Sequence, residues 1–273
     1  MPPLSPNGYN EAVFYGWPTT RDAILDTQIT LLIGLDDTDN LDSCGTGFHA
    51  RAIASGLHAA GLAEKSYVTR HQLLVSPLVP YTSHNSSACV RVRARPDSLP
   101  PVIEFCRDYL SENSAEGSDA GLCIAPQDVF TTPLQRFGFL RKRRLVTQDD
   151  ARRLAQDHGI HLEGLTGTQD GVIGALAAAS LHASGSDGRL LWLEGIRDLA
   201  EKTVTLGELK RTTGLADVQS LEGALLFDEH MTISMGPWPR AVMLDGRPAL
   251  IVEPTGENAN AWRVVSKDYL KQF

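Results

Sequence analysis

The feature that most constrains this chain is the run ITLLIGL, Ile29 to Leu35, and the way it ends. It is short, apolar and rich in β-branched and leucine side chains, which predicts a buried strand. It then breaks into Asp36, Asp37 and Asp39, crosses a small polar loop of Ser43, Cys44, Gly45, Thr46 and Gly47, and enters a segment where Ala50, Ile53, Ala54 and Leu57 recur at helical spacing. Carboxylates gathered at a strand end repel one another, so something has to offset them. A divalent cation does this commonly, and Mg2+ takes one or two carboxylates together with water and substrate phosphates. The small residues that follow bring free N–H groups to a helix start, where phosphate is favoured. The stretch predicts a strand-end site for a metal nucleotide, with ligands beyond the strand end as in open α/β sheets. Read more plainly, it is also a solvated turn with an aspartate cap.

Further strands are predicted near residues 68–75 and 88–94, and helices over residues 100–110, after Thr147 and Asp150 as a capping box, and from Gly171 through Ser180. Residues 111–121 read as a flexible connection, and Thr205 with Glu208 starts another short helix. Residues 241–253 read as a hairpin turned at Asp245-Gly246. The class is therefore mixed α/β (α+β). The expected domains are an irregular arm over 1–26, a larger unit over 27–188, and a smaller ferredoxin-like or β-rich unit over 189–273, with a linker at 184–189.

With 273 residues, 42% of them hydrophobic, the chain can bury a real core. Its net charge of −8 argues against a general electrostatic grip on nucleic acid. Four separated cysteines without a CxxC pair point away from a zinc ribbon and toward a reducing cytoplasm, and no apolar run reaches the roughly 18 residues that span a bilayer. Arg136, Arg141, Lys142, Arg143 and Arg144 form the strongest basic run, read as a solvated face or as an offset for a triphosphate. Cys44 reads as a small buried residue, and His49, His58 and His71 as surface or satisfied histidines. Trp238, Pro239 and Arg240 are candidates to join the cleft from the second unit.

A local alternative is a D-x-D phosphotransferase in which one of Asp37 and Asp39 acts as nucleophile. The ordered set favours another reading. GLDDTDN with the following Cys-Gly-Thr-Gly, then the loop Pro80 to Ser87 before Ala88, then DAGLCI at 119–124 and GVIGALAA at 171–178, together resemble the kinase domain of the archaeal tRNA-isoleucine agmatidine synthetases. The resemblance implies a kinase-like domain that uses ATP and Mg2+ to phosphorylate a carbonyl oxygen, which an amine then displaces. It makes Asp36, Asp37 and Asp39 the metal and phosphoryl-transfer residues and Thr46 the threonine that is itself phosphorylated. It implies nucleotide contacts from Thr38, Asn40, Ser43, Gly45, Gly47, His84, Asn85, Ser86, Ser87 and Gly171. The family's Lys, Arg and Gly in the Pro-Tyr loop are Thr82, Ser83, His84, Asn85, Ser86 and Ser87 here, and the chain has no room for the family's oligonucleotide-binding domain and zinc ribbon. The expected substrate is accordingly a small molecule, with nucleic acid not expected unless a partner chain supplies the RNA contacts. The alternatives are a non-catalytic nucleotide-binding or regulatory protein and a tRNA-modifying enzyme with a separate RNA-binding partner.

Overall fold

Strand β1 (Ile29–Asp36) forms where the apolar run requires it, and both of its faces are covered. Leu31, Ile33 and Leu35 point to one side and Leu32 to the other, and all four are fully buried. A computed structural model describes residues 28–79, 85–257 and 260–273 of the chain. The arm at 1–26 and His84 lie outside the described residues. β1 pairs antiparallel with β3 (Ser86–Ala94) and with β4 (Gly121–Pro126), while β2 (Glu64–Gln72) pairs antiparallel with the far side of β3. Helix α1 (Thr46–Ala59) joins β1 to β2, and α2 (Leu99–Asn113) joins β3 to β4. The spatial order β4-β1-β3-β2 is the split βαβ arrangement of ferredoxin-like folds, so this pattern belongs to the N-terminal unit. The C-terminal unit, read from the sequence as ferredoxin-like or β-rich, is built mainly of strands.

Because the strands around β1 are antiparallel, the rule that places ligands at the carboxyl ends of parallel strands does not apply to this site. The acidic loop is placed by its packing. On one face, Ala50, Ile53, Ala54 and Leu57 of α1 and Val102, Cys106 and Leu110 of α2 close over Leu31, Ile33 and Leu35. On the other face lies α5 (Gly171–Ser184), flanked by α3 (Thr132–Arg141) and α4 (Gln148–Asp157). The capping box of Thr147 and Asp150 opens α4 as expected. Helix α5 is buried along nearly its whole length and lies so near β1 that a Cβ on Gly34 would fall 2.0 Å from the carbonyl oxygen of Ala175. GVIGALAA is therefore a close-packing surface, and the small residues set the approach of the helix to the sheet.

The connection at 114–120 is tied down. The N–H of Ala115 donates to the carbonyl of Thr38 at 3.0 Å, and Asn40 Nδ2 donates to the carbonyl of Glu116 at 3.1 Å. It thus braces the acidic loop, contrary to a flexible link. Beyond β5 (His161–Gly164), which edges the sheet next to β4, the chain returns through α5 to β6 (Arg189–Leu193). Residue 188 directly precedes β6, which pairs with β2 on one side and β10 (Val242–Leu244) on the other. The sheet then continues through β11 (Arg247–Pro254), β12 (Ala261–Val264), β9 (Thr232–Ser234) and β7 (Thr203–Thr205), with β8 (Asp217–Ser220) parallel to β11. Asp245 and Gly246 both have positive φ, +47° and +79°, in the β10–β11 hairpin, as the Asp-Gly turn requires. Thr205 caps α6 (Leu206–Thr213) by accepting from the N–H of Glu208. Twelve strands and six α-helices among the described residues make a mixed α/β fold. Cys89, Cys106 and Cys123 are buried and free, whereas Cys44 is exposed, against expectation, because it lies on the open turn before α1. No helix among the described residues is long and apolar enough to cross a membrane.

Candidate functional site

At the end of β1 the chain leaves Asp36 and turns through Asp37, whose φ of +52° lies in the left-handed region that Asp tolerates better than most residues. This turn brings Asp36, Asp37 and Asp39 to the wall of a cavity of about 380 Å³. Asp119, just before β4, and Asp170, just before α5, join them from loops distant in sequence. Burial is the main reason that the Asp36 carboxyl is pushed up to about 8, with the neighbouring Asp37 charge adding to it. Asp37 is pushed up to about 6, first by burial and then by the charges of Asp119 and Asp39. Helix α5 presses on Asp36 from behind, since a Cβ on Gly174 would fall 1.7 Å from its Oδ2.

Opposite these acids stands Arg141, the last residue of α3, which is 7% exposed. Its Nε and Nη1 have no hydrogen-bond partner among the described residues. The basic run thus divides: Arg141 turns inward, Arg136, Arg143 and Arg144 stay exposed, and Lys142 pairs with buried Asp187. Burial lowers the Arg141 pKa while Asp36 opposes that shift. Sequence periodicity carried no sign of which arginine faces inward.

The donor set fits a hard divalent cation that shares its shell with phosphate oxygens. Several carboxylates are held together against their own repulsion, and a cation inverts this kind of pKa rise. Among the described residues, no three His, Cys, Asp or Glu side chains form a ready-made metal-ligand group, so Asp36, Asp37 and Asp39 do not form a closed set on their own.

Thr46, the first residue of α1, forms a wall of this cavity with its hydroxyl fixed. Thr46 Oγ1 donates to Asp39 Oδ1 at 2.8 Å, the N–H of Thr46 donates to the same oxygen at 3.2 Å, and Thr38 Oγ1 donates to Thr46 Oγ1 at 3.0 Å. Asp39 therefore receives both groups at the helix start, and buried Thr38 orients the threonine hydroxyl from beneath. A second cavity of about 380 Å³ lies across Asp39, Thr46 and Ser86, which line both. Gly45, Gly47 and Ser87 face this second space, and Asn85 faces the first. Asn40 and Ser43 bond to each other within the loop, with Ser43 Oγ 2.8 Å from the Asn40 N–H, and line neither cavity. Gly171 packs against the backbone of Asp119 and Gly121 and also lines neither, whereas Gly174, one turn later, faces the acids.

Fold and site together define a mixed α/β protein with an acidic cavity at the end of a central strand. The chain resembles part of TiaS, a tRNA agmatidine synthetase. TiaS in complex with its tRNA and ATP aligns with a TM-score of 0.50 at 19% identity, covering 56% of this chain and 36% of that one. Apo TiaS gives 0.49 at 17% over 56% and 35%, and a structure described as a tRNA fluorescent labeling enzyme gives 0.49 at 20% over 56% and 36%. The likeness is one of fold, and the chain spans about a third of the length of these proteins. No protein-family model matches the sequence, and no curated protein matches it.

Proposed function

We propose that the chain is a Mg2+- and ATP-dependent phosphotransferase that activates an oxygen of a small-molecule acceptor. Residues 27–188 would form the kinase unit and 189–273 a smaller β-rich unit. The observation that carries this reading is the Thr46 hydroxyl, hydrogen bonded to Asp39 in the wall between two cavities. In that position Asp39 Oδ1 accepts the proton as Thr46 Oγ1 attacks a phosphoryl group of ATP, the new O–P bond forming while the P–O bond to the rest of ATP breaks and that oxygen leaves with the electron pair. Asp39 thus has the role of a general base within hydrogen-bond reach. The Thr38 hydroxyl and N–H, both donating to Thr46 Oγ1, hold that oxygen in place, and Arg141 offers unpaired N–H groups to phosphoryl oxygens. Asp36, Asp37 and Asp39 would hold Mg2+, which when bound offsets the negative charge of the phosphates. Support also comes from the fold, since the similarly folded TiaS is described in a complex with ATP.

Mass spectrometry of the protein incubated with Mg2+ and ATP tests the reading. A phosphate on Thr46 is expected, absent in Thr46→Ala and reduced about a hundredfold or more in rate in Asp39→Asn. Phosphate at another residue with Thr46 unmodified would contradict it.

A further inference from the structure

The second cavity differs in charge from the first. Arg51 of α1, Arg70 of β2 and Arg240 before β10 line it, and Asp39 in the shared wall is its only carboxylate among the described lining residues. Arg189 and Arg197 stand close enough to act electrostatically on the same guanidinium groups. None of these five arginines forms an ion pair within 4 Å with a described residue, although the buried Asp187 carboxylate acts on Arg189 from further off.

Like charges do not gather without cause. Arg189 is 8% exposed, and its Nε, the Nε of Arg240 and one Nη of Arg197 have no hydrogen-bond partner among the described residues. Burying such donors unpaired is costly; Arg240 lines this cavity, and an anion there that takes its Nε–H removes that cost, while Arg189 and Arg197 add their charge from behind. The Arg240 pKa falls to about 10, through burial first and then through Arg197, Arg189, Arg70 and Arg51. The donors are also held in place. Arg70 Nε donates to Ser86 Oγ at 2.8 Å, and the Arg197 guanidinium lies 3.7 Å from the centre of the Trp238 ring. The start of α1 at Gly45–Gly47 adds the positive end of its dipole, with the Thr46 N–H itself held by Asp39.

We propose that this cavity binds the acceptor through a phosphate group, so that the acceptor is a compact phosphomonoester of nucleotide size. The proposal rests on the phosphotransferase reading for the word acceptor, while the anion site stands on the arginines alone. The volume of about 380 Å³ lies in the range of small-molecule sites. With its phosphate among Arg51, Arg70 and Arg240, the ligand body extends toward Asp39 and Thr46, the wall shared with the acidic cavity.

Calorimetric titration of the full chain with uridine 5′-monophosphate, with uridine and with a single-stranded oligoribonucleotide, all without ATP, tests this. The monophosphate is expected to bind at least tenfold more tightly than the nucleoside. That preference is expected to disappear in Arg240→Gln and in Arg70→Gln, while both variants keep Mg2+–ATP binding. Equal affinity for nucleotide and nucleoside, no binding of either, or a preference untouched by both variants would overturn the proposal. Tighter, strongly salt-dependent binding of the oligoribonucleotide would overturn it in favour of a polynucleotide phosphate source. If ATP fails to bind but the arginine-dependent preference persists, the phosphotransferase reading falls and the anion site stands.

Discussion

Two glycines with different neighbours separate stability from site geometry at the scale of single residues. At Gly34 an added methyl meets the backbone carbonyl of Ala175, which cannot move without shifting α5 as a whole. Gly34→Ala is therefore predicted to cost about 3 kcal/mol or to prevent folding, measured by urea denaturation. At Gly174 the same methyl meets the Asp36 carboxyl first and its Cβ only at 2.9 Å, so the carboxyl has to turn away while the strand gives by a few tenths of an ångström. Gly174→Ala is predicted to leave a folded chain with a smaller stability loss and to weaken Mg2+–ATP binding at least tenfold by displacing Asp36. Equal stability losses in the two variants, with binding intact in Gly174→Ala, would refute this division. Both glycines stand out in the sequence, yet which one touches a functional group depends on α5 crossing β1 at one register.

Among the elements, β2, α5 and the turn before β6 are joined by a buried polar chain. Thr69 Oγ1 lies 2.9 Å from His71 Nε2 and 2.8 Å from His182 Nδ1, and His71 Nδ1 lies 2.9 Å from Asp187 Oδ1. Burial holds the His182 pKa well below its ordinary value, and His71 and Arg91 push it in the same direction. The unfolded chain takes up a proton on this residue near pH 6.5 and the folded chain does not, so the unfolded state binds more protons below that value. The share of stability that His182 contributes is thus complete above about pH 6.5 and is lost as pH falls toward the depressed pKa. Asp36 and Asp37, raised to about 8 and about 6, act in the opposite sense over the same range, so the His182 share is read as a difference. In urea melts between about pH 7.5 and 5.5 the parent chain is predicted to fare worse on acidification than a His182→Asn variant, and identical slopes in the two would refute the assignment. Elements of this kind differ in how far the sequence reveals them. β1, α1, the Thr147–Asp150 box and the Asp245-Gly246 turn depend on neighbouring residues, so period and cap chemistry expose them. The close approach of α5 appears only as a run of small residues, whose partner strand the sequence does not name.

On the scale of the whole molecule, the net charge of −8 conceals two adjoining cavities of opposite sign. The acidic loop was legible because three of its carboxylates are sequence neighbours. Asp119, Asp170 and Arg141 complete it from three other elements, and Arg51, Arg70, Arg189, Arg197 and Arg240 meet only because β6 joins β2 to β10. No local pattern announces such a meeting, since long-range strand pairing produces it. Calorimetric binding of ATP with and without Mg2+ tests most directly whether the acidic cavity holds a metal-bound nucleotide. Binding is predicted to require Mg2+, to weaken at least tenfold in Asp37→Asn, a substitution that keeps the left-handed turn, and to be retained in Arg240→Gln. ATP binding that is equally tight in the presence of a chelator, or unchanged by Asp37→Asn, would contradict a metal-bound nucleotide at this site.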